Sequence, residues 1–227
     1  MPPCPYRLVC FDVDGTLVGK TVFVWETLHE RLHTDPAARK RAWHDYFAGR
    51  ISYAQWFESD IALFRQQGPV TRERLLQAID GLELVAGAHE TLAELQQAGL
   101  KLAIVSGSLN IVLDKFDLGR HFDEVFVNEL YFNPEGELTS WRPTPFDVEK
   151  KVAALDHLVA KHGIELAQTV FVGDNFNDLS IARRAGLAIA INSQCEELIA
   201  CAHANLPGHD LHEILPYVLG GAPPSPK

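Results

Sequence analysis

Leu8-Val9-Cys10-Phe11-Asp12-Val13-Asp14-Gly15-Thr16-Leu17 passes from four consecutive apolar residues into a turn bearing two acids, a glycine and a hydroxyl. A continuous apolar run closed by polar turn residues reads as a strand buried on both faces, as in a parallel sheet. Four later runs repeat the pattern. Residues 102–105 stop at Ser106-Gly107-Ser108, 125–127 at Asn128, 170–172 at Gly173-Asp174, and 188–191 at Asn192.

Helical patterns lie between these runs. Ala88, Leu92 and Leu95 share a face ahead of Gly99, and Val148, Val152, Leu155 and Val159 share one ahead of Gly163. Each glycine suits a C-terminal cap. Thr144-Pro145-Phe146-Asp147 reads as the start of the second helix, with Thr as cap and Pro in the first helical position. Strands alternating with helices predict an α/β fold, a doubly wound Rossmann-like parallel sheet. Ligands of such sheets bind beyond the carboxyl ends of the strands.

Residues 19–84 contain no comparable strand run and read as a helical insert, punctuated at His33-Thr34-Asp35-Pro36 and Gln67-Gly68-Pro69. The domain expectation is a core of residues 1–18 and 85–219, a helical cap of residues 19–84 and a flexible tail of residues 220–227. A short hairpin is expected over 130–138, where Pro134-Glu135-Gly136 marks the turn.

The chemistry begins with Asp12 and Asp14. Two acids at i and i+2 on one strand end repel each other unless a cation sits near them. Asp174 and Asp178 supply more carboxylate after another strand. Hard Mg²⁺ takes such oxygen ligands, so two acidic loop ends suggest a shared Mg²⁺ site; the competing reading is turn and helix capping. Ser106 and the Gly107 N–H can hold a phosphate oxygen at a strand-to-helix turn. A phosphate also calls for a fixed cation. At ~100° per residue, Lys151 lies ~70° from the apolar face of its helix and Lys150 nearly opposite it, which favours Lys151.

Composition narrows the partners. The 227 residues carry 20 Lys plus Arg against 30 Asp plus Glu, a formal charge of −10, which disfavours nucleic acid. No apolar run reaches the ~20 residues that span a bilayer, and the N-terminus does not read as a signal peptide. Cys4, Cys10, Cys195 and Cys201 show no metal or disulfide spacing and read as reduced thiols of a cytoplasmic protein. A monomer or homodimer is expected.

Asp12-Val13-Asp14-Gly15-Thr16-Leu17, Ser106-Gly107, Lys151 and Gly173-Asp174-Asn175-Phe176-Asn177-Asp178 together resemble the four motifs of the haloacid dehalogenase (HAD) superfamily. The likeness runs from Leu8 to about Tyr217, and the helical insert is similar to the C1-type cap of the phosphoserine phosphatase-like branch (subfamily IB). The resemblance implies a Mg²⁺-dependent hydrolase of a small phosphorylated metabolite. Asp12 would be the nucleophile that becomes an aspartyl-phosphate, and Asp14 the general acid and base. Asp12, the Asp14 backbone carbonyl, Asp174 and Asp178 would hold Mg²⁺, while Ser106, Gly107 and Lys151 would bind the phosphoryl oxygens. Asn175 and Asn177 would shape the metal loop. An acid at position 14 favours phosphoryl transfer over dehalogenation; a mutase or an inert binding protein is the alternative.

The branch's substrate-binding residues are not matched. Thr21 stands where phosphoserine phosphatases have a Glu, and Glu58 where they have an Arg. Phosphoserine phosphatase proper remains one alternative. Another is a cationic head group, phosphocholine or phosphoethanolamine, held by Glu58 with Trp25, Trp43 or Trp56, unless these tryptophans simply pack the cap.

Overall fold

A computed structural model describes residues 4–208 and 210–220. The strands are β1 (Leu8–Phe11), β2 (Val18–Gly19), β3 (Glu83–Leu84), β4 (Lys101–Leu109), β5 (Glu124–Phe132), β6 (Leu138–Arg142), β7 (Thr169–Gly173), β8 (Leu187–Ile191) and β9 (Ala204–Leu206). The main sheet runs β6-β5-β4-β1-β7-β8-β9, parallel throughout except for the antiparallel β5–β6 hairpin at its edge. All of β1, β7 and β8 is buried, as expected of strands covered on both faces.

Helices α1 (Val24–Arg31), α2 (Pro36–Phe47), α3 (Tyr53–Gln66) and α4 (Arg72–Ala78) lie between β2 and β3. Their starts follow from local chemistry: Asp35 caps α2 with Pro36 next to it, Ser52 and Gln55 form a capping box on α3, and Thr71 caps α4. β2 and β3 pair antiparallel, and the Val85 N–H donates to the Leu17 carbonyl, so both chain crossings between cap and core are tied together. The strand-free expectation for 19–84 misses this two-residue stem, which is too short to carry a period.

Helices α5 (Ala88–Gln97), α6 (Asn110–Lys115), α7 (Lys151–His162), α8 (Leu179–Ala182), α9 (Glu196–Cys201) and α10 (Leu215–Leu219) complete the core. Ala88, Leu92 and Leu95 are buried on α5 as expected. The sheet separates two apolar clusters: Val9 and Phe11 face one, Leu8 and Cys10 the other.

Three expectations need correction. The strand expected to stop at Asn128 continues to Phe132, and the one expected to stop at Ser106 continues to Leu109. A polar residue need not end a strand when its side chain is satisfied: the Asn128 amide donates to the Gly107 carbonyl and the Tyr53 hydroxyl and accepts from Thr144 N. The helix start expected at Thr144-Pro145 falls later. Thr144 Oγ1 accepts from Phe146 N in a local turn, Asp147 caps a 3-10 turn at Val148–Lys150, and α7 begins at Lys151. Val148 at φ +50° prevents a continuous helix from Pro145. The buried face of α7 is therefore Lys151, Ala154, Leu155 and Leu158, while Val152 and Val159 are half-buried. The expected tail lies outside the described residues from position 221 onward, and no helix among the described residues is long and apolar enough to cross a membrane.

Candidate active site

β1 lies between β4 and β7, with Phe11 level with both Ile104 and Val172. Asp12 N–H extends the ladder by donating to Val172 O at 3.0 Å. Asp12 and Asp174 therefore lie just past neighbouring strand ends at the carboxyl edge of the sheet, and Ser106 lies within β4 on the other side of β1. Gly15 makes this convergence possible. Its φ is +78°, and a Cβ there would fall 2.2 Å from Asp174 Oδ2, so the β7 loop closes onto the β1 turn only over a glycine. Thr16 Oγ1 completes the junction by donating to Asp174 Oδ1 at 3.3 Å.

Carboxylate oxygens of Asp12, Asp174 and Asp178 lie within 4.8 Å of one another, and all three residues are buried. Lys151, 0% exposed, donates to Asp12 Oδ1 at 2.6 Å and to Asp178 Oδ1 at 2.8 Å. Burial alone would lower its pKa, but Asp12, Asp178 and Asp147 hold it above the ordinary lysine value. One ammonium against three acids leaves negative charge in a dry site. Burial first, then the charges of Asp12 and Asp178, pushes the Asp174 carboxyl up; burial and Asp12 likewise raise Asp178 above the usual carboxylate range, against the pull of Lys151. Such a set fits a hard divalent cation. Asp12 and Asp174 have oxygens to offer it. Asp178 is already committed to Lys151 and, through Oδ2, to Asp174 N and Asn175 N, and so braces the loop.

Asp14 stands apart from that triad. Its Oδ1 accepts from Ser108 Oγ at 2.7 Å and its Oδ2 from Val24 N at 2.7 Å. Burial, then the neighbouring Asp12 charge, pushes its carboxyl up to about 7. A carboxyl at that value can both give and take a proton near neutrality. Its link to Val24, the first residue of α1, attaches it to the cap.

Ser106 and Gly107 lie on the other flank of Asp12. Ser106 is buried, and its Oγ accepts from Ser108 N. Asp147 closes over this turn: a Cβ on Gly107 would meet Asp147 Oδ2 at 2.3 Å. Tyr53 Oη donates to Asp147 Oδ2 at 2.9 Å, and Trp25 Nε1 donates to Gly107 O at 2.9 Å, so two cap side chains reach the Gly107 turn and the acid that covers it.

The family model for haloacid dehalogenase-like hydrolases matches residues 6–186. The chain belongs to that family.

Within it this hydrolase is phosphoserine phosphatase-like. It is 30% identical over 223 residues to the phosphoserine phosphatase of Methanocaldococcus jannaschii, covering 93% of this chain and 97% of that protein. The phosphoserine phosphatase of Archaeoglobus fulgidus is 31% identical over 83% of this chain, a match that spans 53% of the longer archaeal protein. A solved phosphoserine phosphatase carrying an analogue of its phospho-aspartyl intermediate superposes with a TM-score of 0.72 at 28% identity, covering 94% of this chain and 99% of that one. The chain is an enzyme, a phosphomonoester hydrolase of the kind that passes through an aspartyl-phosphate.

The cap residues singled out from sequence separate into two groups. Trp25, Trp43 and Trp56 line the cavity above the hydrolase's acidic cluster. Glu58 and Thr21 do not: Glu58 is exposed on α3, and Thr21 shares a 2.8 Å hydrogen bond with Thr27. The alignment that put Glu58 at the substrate points to the wrong face of α3, because Tyr53, Trp56, Phe57 and Asp60 are the residues turned to the cavity. Lys150 is exposed and Lys151 holds the buried position. Ser108, Asn128, Asp147, Tyr53 and Asp60 escaped the sequence reading. Only Ser108 carried a usable signal there, as the second hydroxyl of Ser106-Gly107-Ser108.

Proposed function

We propose that this enzyme uses Mg²⁺ to hydrolyse the phosphomonoester of a small cytosolic metabolite, with Asp12 as nucleophile and Asp14 as general acid and base. The observation that carries the reading is the division of the acids. Asp12 lies with Asp174 and Asp178 around Lys151, while Asp14, two residues on, is turned to Ser108 and Val24 with its carboxyl near 7. A cavity of about 120 Å³ above them suits a small leaving group.

Asp12 and Asp174 would hold the ion, with the Asp14 carbonyl as a further ligand and Asp178 in support. Mg²⁺ would supply Lewis-acid neutralisation of the phosphoryl oxygens. The residues do the rest. A carboxylate oxygen of Asp12 forms a bond to phosphorus as the bond to the leaving oxygen breaks. The departing oxygen keeps that electron pair and takes the Asp14 proton. Asp14, now ionised, removes a proton from water, whose oxygen attacks phosphorus and releases inorganic phosphate and the free Asp12 carboxylate. Lys151 restrains Asp12 and offsets the charge that builds on the transferred group, and Ser106 with the Gly107 N–H holds its remaining oxygens.

Phosphate release from p-nitrophenyl phosphate tests this. The wild-type enzyme with Mg²⁺ should turn over and Asp12→Asn should lose all measurable activity while retaining its circular dichroism. Turnover by a folded Asp12→Asn protein would remove the nucleophile assignment and the reading with it.

A further inference from the structure

The cavity has two unlike ends. At the sheet edge it is bounded by Asp12, Asp14 and the Ser106–Ser108 turn. The cap end is aromatic. Trp43 and Phe47 come from α2 with ring centroids 4.6 Å apart, Trp56 from α3 lies 6.1 Å from Phe47, and Trp25 from α1 meets Phe57 edge-on at 4.9 Å. Packing alone does not explain this wall, since Trp43 and Phe47 are 43% and 41% exposed on a helix with no buried residue.

The charges lining that wall are mostly negative. Asp60 is buried among the rings and takes a 3.0 Å contact from His29 Nε2. Asp147 sits between the aromatic end and Gly107, its carboxylate accepting from Tyr53 and from Val148 N. Among the described residues Arg39 is the only basic side chain lining the cavity, and it is paired with Glu26 at 3.4 Å. A leaving group bearing a carboxylate would thus meet two acids and one cation already engaged. An ammonium would meet aromatic faces, which attract cations, together with the carboxylates of Asp60 and Asp147, held by His29 and by Tyr53.

Resting on the phosphatase reading above, we infer that the substrate is the phosphate ester of an amino alcohol: a cationic head group without a carboxylate, seated against Trp25, Trp43 and Trp56 with Asp147 and Asp60 as its counter-charges. Asp147 then has a reason to lie beside the phosphate turn. It lies against Gly107, where its carboxylate can meet the ammonium of a short amino alcohol whose phosphate sits on that turn. Water hydrolyses the ester, so the amino alcohol and inorganic phosphate are the only products.

The test compares four esters on the wild-type enzyme with Mg²⁺: phosphocholine, its uncharged isostere 3,3-dimethylbutyl phosphate, O-phosphoserine, and p-nitrophenyl phosphate. The expected kcat/KM for phosphocholine exceeds those for the isostere and for phosphoserine by at least tenfold. Trp43→Leu, a change on the exposed α2, should cut the phosphocholine-to-isostere ratio by at least threefold, and Asp147→Asn should cut it further. Equal rates on phosphocholine and the isostere, or a preference for phosphoserine, overturn the inference while release from p-nitrophenyl phosphate leaves the phosphatase reading standing. Release from none of the four overturns both.

Discussion

Lys151 Nζ and Asp12 Oδ1 are 2.6 Å apart in a pocket where the lysine has no exposure at all. The same ammonium serves Asp178 at 2.8 Å. It is the charge that lets Asp12 and Asp178 share one dry site.

Replacing it exposes that dependence. Lys151→Met keeps the side-chain volume and leaves the Asp12, Asp174 and Asp178 carboxylates without a protein cation. Breaking a buried pair from one side costs about 3–5 kcal/mol, so urea unfolding in EDTA should shift by that amount. Mg²⁺ should recover part of the loss, and kcat should fall about 10²–10³-fold with the loss of charge stabilisation. A metal-free variant within about 1 kcal/mol of wild type would contradict this account of the cluster.

Metal removal should also reverse the pH response. Asp14 is raised from 3.8 to about 7, and Asp174 and Asp178 are raised in the same direction. A carboxyl whose folded pKa lies above its unfolded one favours the folded state at low pH, where it is protonated. That contribution is lost as pH climbs from about 4 through the folded values. In EDTA the Tm should therefore decline between about pH 5 and 8. Saturating Mg²⁺ binds the ionised form and should flatten or invert the slope. Parallel Tm profiles with and without Mg²⁺ would show that the ion does not bind these carboxylates.

Tyr53 joins cap to core. Its hydroxyl donates to Asp147 and accepts from Asn128 Nδ2 at 2.8 Å. Tyr53→Phe removes both bonds, for an expected loss of about 1–2 kcal/mol. The sharper readout is local: amide exchange should quicken in α1 to α3 while β1, β4 and β7 keep their protection. Unchanged cap exchange would mean that other contacts hold it shut.

Glu58 offers a control. It is exposed and does not line the cavity, so Glu58→Ala should leave stability within about 0.5 kcal/mol and kcat/KM within twofold on every ester tried. A larger kinetic effect would place Glu58 at the substrate after all.

Local signals made the catalytic edge legible. An apolar run ending in Asp12-Val13-Asp14-Gly15 and another ending in Gly173-Asp174 are each short enough to read directly. Helical phase over 148–159 favours Lys151, the residue that is buried, over Lys150, although α7 begins only at Lys151 and buries a different face from the expected one. In the local sequence Asp147 looks like no more than part of a helix start. Its role comes from Val148 at φ +50°, which turns the chain over Gly107, and no periodicity encodes that. Tyr53, Asn128 and Asp60 act through partners 94, 75 and 31 residues away in the chain.

By itself the sequence determined that Asp12 and Asp174 stand just past buried strands, but not where β4 and β5 stop, since Ser106 and Asn128 lie inside them. It also determined the alternation of strand and helix that forces a parallel sheet. Tertiary structure decided that β7 lies beside β1, which brings carboxylate oxygens of Asp12, Asp174 and Asp178 within 4.8 Å of one another, with β4 on the other side of β1. It decided as well which turn of α3 faces the cavity. A helix can be rotated by one residue at little local cost, and only packing against the core selects Tyr53, Trp56 and Asp60 over Glu58.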